Sequence, residues 1–225
     1  SDVYKRQQMV DASGSPIICH NVWISYFTGG RDKMGEGYGK LTAGYGSRGV
    51  PSELGEKIGP EFTFGIYAQK ALNEPILIIK TAWGGKSIHT DFRPPSAGPY
   101  VFNEGELENF RRRGKDLREV KAEKAEQTGK FYGLMMDHVR KVLSDVKRVY
   151  PGYNEEKGYE LAGFVWFQGW NDMVASGTYP NRGQPGGYDA YTDCLAHFIR
   201  DVRKDLEAPK MKFVIGVMGV GGPLE

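Results

Sequence analysis

The run ILIIKTAWGGKS, Ile76 to Ser87, decides the fold class. Four consecutive apolar residues after Pro75 read as a strand of the kind buried on both faces in a parallel sheet. The strand then breaks into a turn where Gly84 and Gly85 stand side by side, so backbone N–H groups can approach a ligand with no Cβ in the way. The arrangement returns in LAGFVWFQGWND, Leu161 to Asp172, an apolar strand ending in an amide, glycine and carboxylate cluster that no turn requires. Lys212 to Val217 is a third strand.

Between these strands the period changes. Pro60 and Glu61 open a helix over Phe62 to Asn73. Phe131, Leu134, Met135, His138, Val139, Val142, Val146 and Val149 recur at helical spacing, which predicts a helix from Phe131 to Tyr150 ended by Pro151-Gly152. Tyr188 to Leu206 repeats the pattern. Strands separated by helices argue for an α/β chain with a parallel sheet covered on both faces. Upstream, Val22 to Phe27 and Leu41 to Tyr45 read as a peripheral β-hairpin around a loop carrying Gly29, Gly30, Gly35, Gly37 and Gly39. Glu104 to Gln127 alternates acids and bases densely and reads as a solvated helical face, despite Arg111-Arg112-Arg113.

With 225 residues, 40% hydrophobic and 26% charged, the chain is an ordinary globular protein expected to form one domain. Thirty basic against 28 acidic side chains leave +2, so no global field recruits nucleic acid or an anionic membrane. No apolar run approaches the roughly 18 residues that span a bilayer. Two cysteines, Cys19 and Cys194, exclude a disulfide framework and a cysteine-rich metal site.

In open parallel sheets, ligands bind beyond the C-terminal ends of the strands, which directs attention to the two glycine turns. A phosphate-loop reading of Gly85-Lys86-Ser87 fails: Lys80 stands where the opening glycine belongs, and Asp91-Phe92-Arg93-Pro94-Pro95 interrupts the helix that would receive the phosphate. Ser87 and His89 are two residues apart on an irregular loop, a poor nucleophile and base. His89, Asp91 and Arg93 follow the glycine turn on the ligand side, where substrate contact and loop bracing are both open. His138 lies on its helix's apolar stripe and reads as a core histidine; His197 is off its stripe and reads as solvated. Trp170 is a better sugar-stacking face than Trp166, which sits within a strand. Gly84 and Gly85 serve either an oxyanion or only a tight turn.

TAWGGKSIHTDFRPPSAG, Thr81 to Gly98, and GFVWFQGWND, Gly163 to Asp172, with IGPEFTFG upstream, resemble the sialate O-acetylesterase-like branch of the SGNH hydrolases, related to the carbohydrate acetylesterases. The resemblance runs from about Met9 to Pro223. It implies a flavodoxin-like three-layer α/β/α sheet and removal of O-acetyl groups from sugars by a serine nucleophile with a histidine base, without metal or other cofactor. Residue by residue, it assigns Gly85, with Gly84 beside it, to the oxyanion hole through its backbone N–H. It matches Gln168 and Gly169 to the Gln-Gly of the family's Gln-Gly-Glu turn, with the Gln168 side chain near the same oxyanion. Trp170, Asn171, Asp172, His89, Asp91 and Arg93 then border the substrate, a small-molecule or oligosaccharide acetyl ester. Donors fixed where charge develops on the carbonyl oxygen contribute about 3 to 4 kcal/mol each.

The chain departs from the family pattern in three places. Trp170 occupies the usual glutamate position, which leaves the histidine's acid partner unassigned; Asp172 is the nearest carboxylate. No Gln-Ser pair, and so no Gly-Gln-Ser-Asn turn, occurs in the chain. The residues three before His20, His89, His138 and His197 are Ile17, Lys86, Met135 and Cys194, so the family's Asp-x-x-His pair is missing too. Ser1 to Gln7, SDVYKRQ, resembles the translation of a transposon library adapter. Together these features predict a truncated esterase domain, residues 8–225, with nucleophile and base in polypeptide beyond it. The strand bearing that serine would lie between Ile76–Lys80 and Leu161–Phe167, interrupting the sheet by about two strand spacings, roughly 10 Å, and weakening the fold. Relatives of this kind are bacterial and exported, which implies a secreted or periplasmic parent. A non-catalytic carbohydrate-binding module on the same scaffold is the alternative, motivated by Trp170.

Overall fold

A computed structural model describes residues 7–29, 33–47 and 50–217. The chain packs into two compact units, each with its own sheet: the residues up to Gly84 together with Asp137–Gly158, and Gly85–Met136 together with the residues from Tyr159 on.

In the first unit, β1 (Val22–Gly29) is the middle strand, with β2 (Met34–Lys40) antiparallel on one side and β3 (Ile76–Thr81) parallel on the other. The hairpin partner is thus the glycine-rich stretch expected to be its loop, and Leu41–Tyr45 is not a strand. Alternation explains the correction. Gly35, Gly37 and Gly39 pair with Thr28, Tyr26 and Ile24, placing glycines on the face where β1 carries bulk. The hairpin lies at one side of this sheet, as expected, with β2 at its edge and β1 also paired to β3. Val22, Ile24, Tyr26, Leu41, Tyr45, Phe62 and Ile66 form a buried cluster beneath α1 (Pro60–Leu72). Pro60 starts that helix and Asn73, at φ 53°, ends it in the left-handed conformation. The helix can come this close because Gly65 faces the sheet: a Cβ there would lie 2.1 Å from Leu41 Cδ2.

In the second unit, β4 (Gly163–Trp166) and β5 (Lys212–Ile215) pair in parallel. Their inner face meets α5 (Asp189–Asp205) in an aromatic cluster, where Phe198 lies 4.4 Å from Trp166 and Phe164 stacks on Phe213 at 4.9 Å between ring centroids. The other face is open: Val165 is 50% and Val214 57% exposed. β3 is half-buried along its length. Burial on both faces, expected from the unbroken apolar runs, is therefore not found, since no described residue covers the outer side of β4 and β5.

The acidic and basic stretch forms two helices, α2 (Glu104–Arg112) and α3 (Leu117–Gln127), separated by Gly114 at φ 65°. Asn103 and Glu106 form a capping box on α2, and Asp116 caps α3. The predicted helix to Tyr150 is α4 (Lys130–Ser144); Asp145 then breaks the run and caps a single turn, Val146–Val149. A further short helix, between β4 and α5 in the chain, spans Trp170–Val174 and carries the second glycine turn's residues.

The α/β class stands, with parallel pairing across both kinds of helical crossover. Among the described residues β3 pairs only with β1 and β4 only with β5, so the ladders form a three-stranded and a two-stranded sheet. Ser1 to Arg6 of the adapter-like segment and the closing Gly221-Gly222-Pro223 lie outside the described residues.

Candidate functional site

Asp172 organises the site. It sits in the short helix Trp170–Val174, is 1% exposed, and accepts four hydrogen bonds. Oδ2 takes the Ile88 N–H at 2.8 Å and the Gln168 Nε2–H at 2.7 Å; Oδ1 takes the His89 N–H at 3.2 Å and the Tyr179 hydroxyl at 2.9 Å. A buried carboxylate is tolerated only when its lone pairs are matched in this way. The consequence is mechanical: one side chain ties the segment after Gly85 to the turn after β4. Asp172 reaches no solvent, so it stands behind the surface that a substrate would meet.

Gln168 completes the tie. Its second amide proton goes to the Lys86 carbonyl at 2.9 Å, so both protons of the side-chain amide are used inside the protein. Gly85 is exposed and holds φ 74°, a conformation that favours glycine. A Cβ at Gly85 would lie 4.0 Å from Asn171 Nδ2, which places the Asn171 amide beside the glycine backbone. Gly84, at the end of the first unit, has open space on its Cβ side. Gly169 precedes the short helix, and Trp170, its first residue, is 61% exposed.

The remaining expected residues brace the loop. Asp91 accepts the Ser87 N–H at 2.9 Å and its hydroxyl at 3.1 Å, and pairs with Lys86 at 3.2 Å. The Arg93 guanidinium donates to the carbonyls of His89, Ala97 and Gly98. Of the two readings left open by the sequence, bracing is the one with contacts, made through carbonyls by Arg93 and an ion pair by Asp91. The His89 ring meets Tyr100 and Tyr179 edge-on at 5.1 and 5.3 Å. Burial, with the positive charge of Arg93, lowers its pKa to about 4, so it is neutral near pH 7.

Two features escaped the sequence reading. Tyr179, 2% exposed in a glycine-, proline- and asparagine-rich stretch, gave no periodic signal for its role on Asp172. The first unit holds a buried polar chain: the Ser25 hydroxyl donates to Glu36 Oε1 at 2.7 Å and lies 2.9 Å from His138 Nε2. Because the serine's single proton goes to Glu36, His138 donates to the serine oxygen. The polarity is opposite to that of a base activating a nucleophile, and Ser25 is fully buried. Burial raises the Glu36 pKa, but Arg148 at 2.8 Å, Lys141 at 2.9 Å and the Ser25 hydroxyl outweigh it and hold the pKa at about 2. A serine inside the apolar run VWISYF was the available signal. His138 is a core histidine as read. His197 is half-buried and its Nδ1 meets Ser96 Oγ at 2.7 Å, so it is not simply solvated.

The solved structures include a protein of Arabidopsis thaliana, 15% identical, with 88% of this chain and 58% of that chain covered at a TM-score of 0.42. Another is a carbohydrate acetylesterase from Xanthomonas citri, 13% identical, with 87% and 34% covered at a TM-score of 0.46. The chain thus spans 58% and 34% of the length of these two. No curated protein matches it. The family model described as carbohydrate esterase, sialic acid-specific acetylesterase matches residues 49–223, a span that contains both glycine turns and most of the chain. The chain belongs to that carbohydrate esterase family.

Proposed function

We propose that this chain is the oxyanion-hole portion of a serine-type carbohydrate O-acetylesterase, with nucleophile and base supplied by polypeptide beyond it. The observation that carries the reading is the knot at Asp172, which fastens the Gly85 segment to the Gln168 turn and sets Asn171 beside Gly85. Gly85 N–H and Asn171 Nδ2 are the donors assigned to the oxyanion. Gln168 and Asp172 are positioning residues, since their own groups are engaged within the protein. In the reaction a serine oxygen attacks the acetyl carbonyl carbon, the C=O π pair moves onto oxygen, and the donors meet that charge as it forms. Collapse expels the sugar hydroxyl, protonated by the histidine, and water then hydrolyses the acetyl-serine. Trp170 offers the sugar an apolar face, and its exposure of 61% also favours the second reading, a carbohydrate-binding module without catalysis.

The test is to extend the reading frame until it contains a Gly-Gln-Ser-Asn turn and to assay acetate release from O-acetylated sugars. Asn171→Ala is expected to lower kcat by about a hundredfold with little change in KM, the loss of one oxyanion donor. Binding of the sugars without acetate release would support the module instead.

A further inference from the structure

A groove of about 500 Å³ lies in the second unit, lined on its apolar side by Tyr100, Val101, Phe102 and Leu107 and on its polar side by Lys121 and Lys124. Its chemistry is set by how the unit treats lysine. Lys86 is half-buried and answered by Asp91 at 3.2 Å. Lys124 is also half-buried, yet among the described residues it makes no ion pair. Its ammonium lies 4.4 Å from the Tyr100 ring centroid and 3.4 Å from Thr90 Oγ1, a neutral acceptor. Glu106, one of the two glutamates that flank Leu107 in the chain, is used elsewhere: it accepts the Tyr100 hydroxyl at 2.5 Å and the Asn103 N–H at 3.0 Å.

A partly desolvated cation without a counter-charge, beside an apolar cleft, is a built complement for an anion with an apolar body. We infer that this groove binds a small carboxylate-bearing ligand with a flat apolar face, its carboxylate on Lys124 and its body against Phe102 and Leu107. A single half-buried ammonium matches a monoanion better than a phosphate dianion, for which a cluster of donors or a forked guanidinium is the usual partner. Lys121 is exposed and contributes field more than contact. The inference is independent of the esterase reading, because it concerns binding alone.

The test is equilibrium titration of the chain with 2-naphthoate and with 2-naphthamide, a neutral analogue of the same shape. The naphthoate is expected to bind about tenfold more tightly, and Lys124→Met to erase that difference while leaving the amide unchanged. Lys121→Met should change naphthoate binding by less than about threefold, as an exposed charge would. Chemical shifts on the unmodified chain provide the second readout, needed if Lys124→Met fails to fold: Tyr100, Phe102 and Leu107 should move together on saturation. Equal binding of acid and amide, no effect of Lys124→Met in a folded variant, or shifts centred on the open face of Val165 and Val214 would each overturn the inference.

Discussion

The two sheets differ in what their neighbours do for them. In the first unit β1 is paired on both edges, Val22 and Ile24 are fully buried, and its other face carries a matched Ser25, Glu36 and His138 chain. In the second, among the described residues β4 and β5 pair only with each other, with aromatic packing on one side and open valines on the other. The same kind of apolar run thus meets two fates. An apolar strand records the capacity to be buried, and cover from helices or further strands decides whether that capacity is used.

The largest expected effect follows from this asymmetry. Phe198 is fully buried against Trp166, Phe164 and Phe213, so Phe198→Ala removes most of the one face that holds β4 and β5. A loss of about 3 to 5 kcal/mol is expected, with amide exchange rising first in Gly163–Trp166 and Lys212–Ile215. Retained protection there would mean that the two-stranded sheet does not depend on its aromatic face.

Acid sharpens the comparison at intermediate size. Burial lowers the His138 pKa from 6.5 to about 4, so the unfolded chain takes up that proton first. The neutral-histidine contribution is full above pH 6.5 and falls as pH drops toward 4, by on the order of 1 to 3 kcal/mol. His89 is lowered to about 4 in the second unit and acts in the same window. His138→Gln should therefore flatten the first unit's pH dependence in thermal melts and leave the second unit's share, which His89→Gln removes. Glu36, held at about 2, adds its loss only below about pH 4.5. The smallest effect belongs to the open face: Val214→Thr should stay within about 0.5 kcal/mol in denaturant titrations, and a larger cost would mean that something covers that valine in solution.

The fold class was legible because long-range order left local marks. Ile76–Ile79 and Phe164–Trp166 announced strands, Pro60 and Asn73 marked a helix start and stop, and the His138 stripe found the core. The β2 strand was misread because Gly35, Gly37 and Gly39 look like loop punctuation until their partners across the ladder are known. The break at Asp145 escaped because valines continue the helical period through it. At the site, Gly85, Gln168 and Asp172 stood out because they lie in turns that strand geometry does not require. Their division of labour was not legible, since which amide protons are already used depends on neighbours distant in the chain: Lys86 for Gln168, Tyr179 for Asp172. Asp91 and Arg93 likewise resolve into braces only when the carbonyls and ammonium they meet are in place.

The central claim is the proposal that the chain holds a positioned oxyanion framework and, among the described residues, no serine activated to use it. Hydrolysis of p-nitrophenyl acetate by residues 9–225 tests this most directly. The account predicts a rate indistinguishable from buffer and without saturation at any ester concentration. Saturable turnover that vanishes in Ser87→Ala would contradict it.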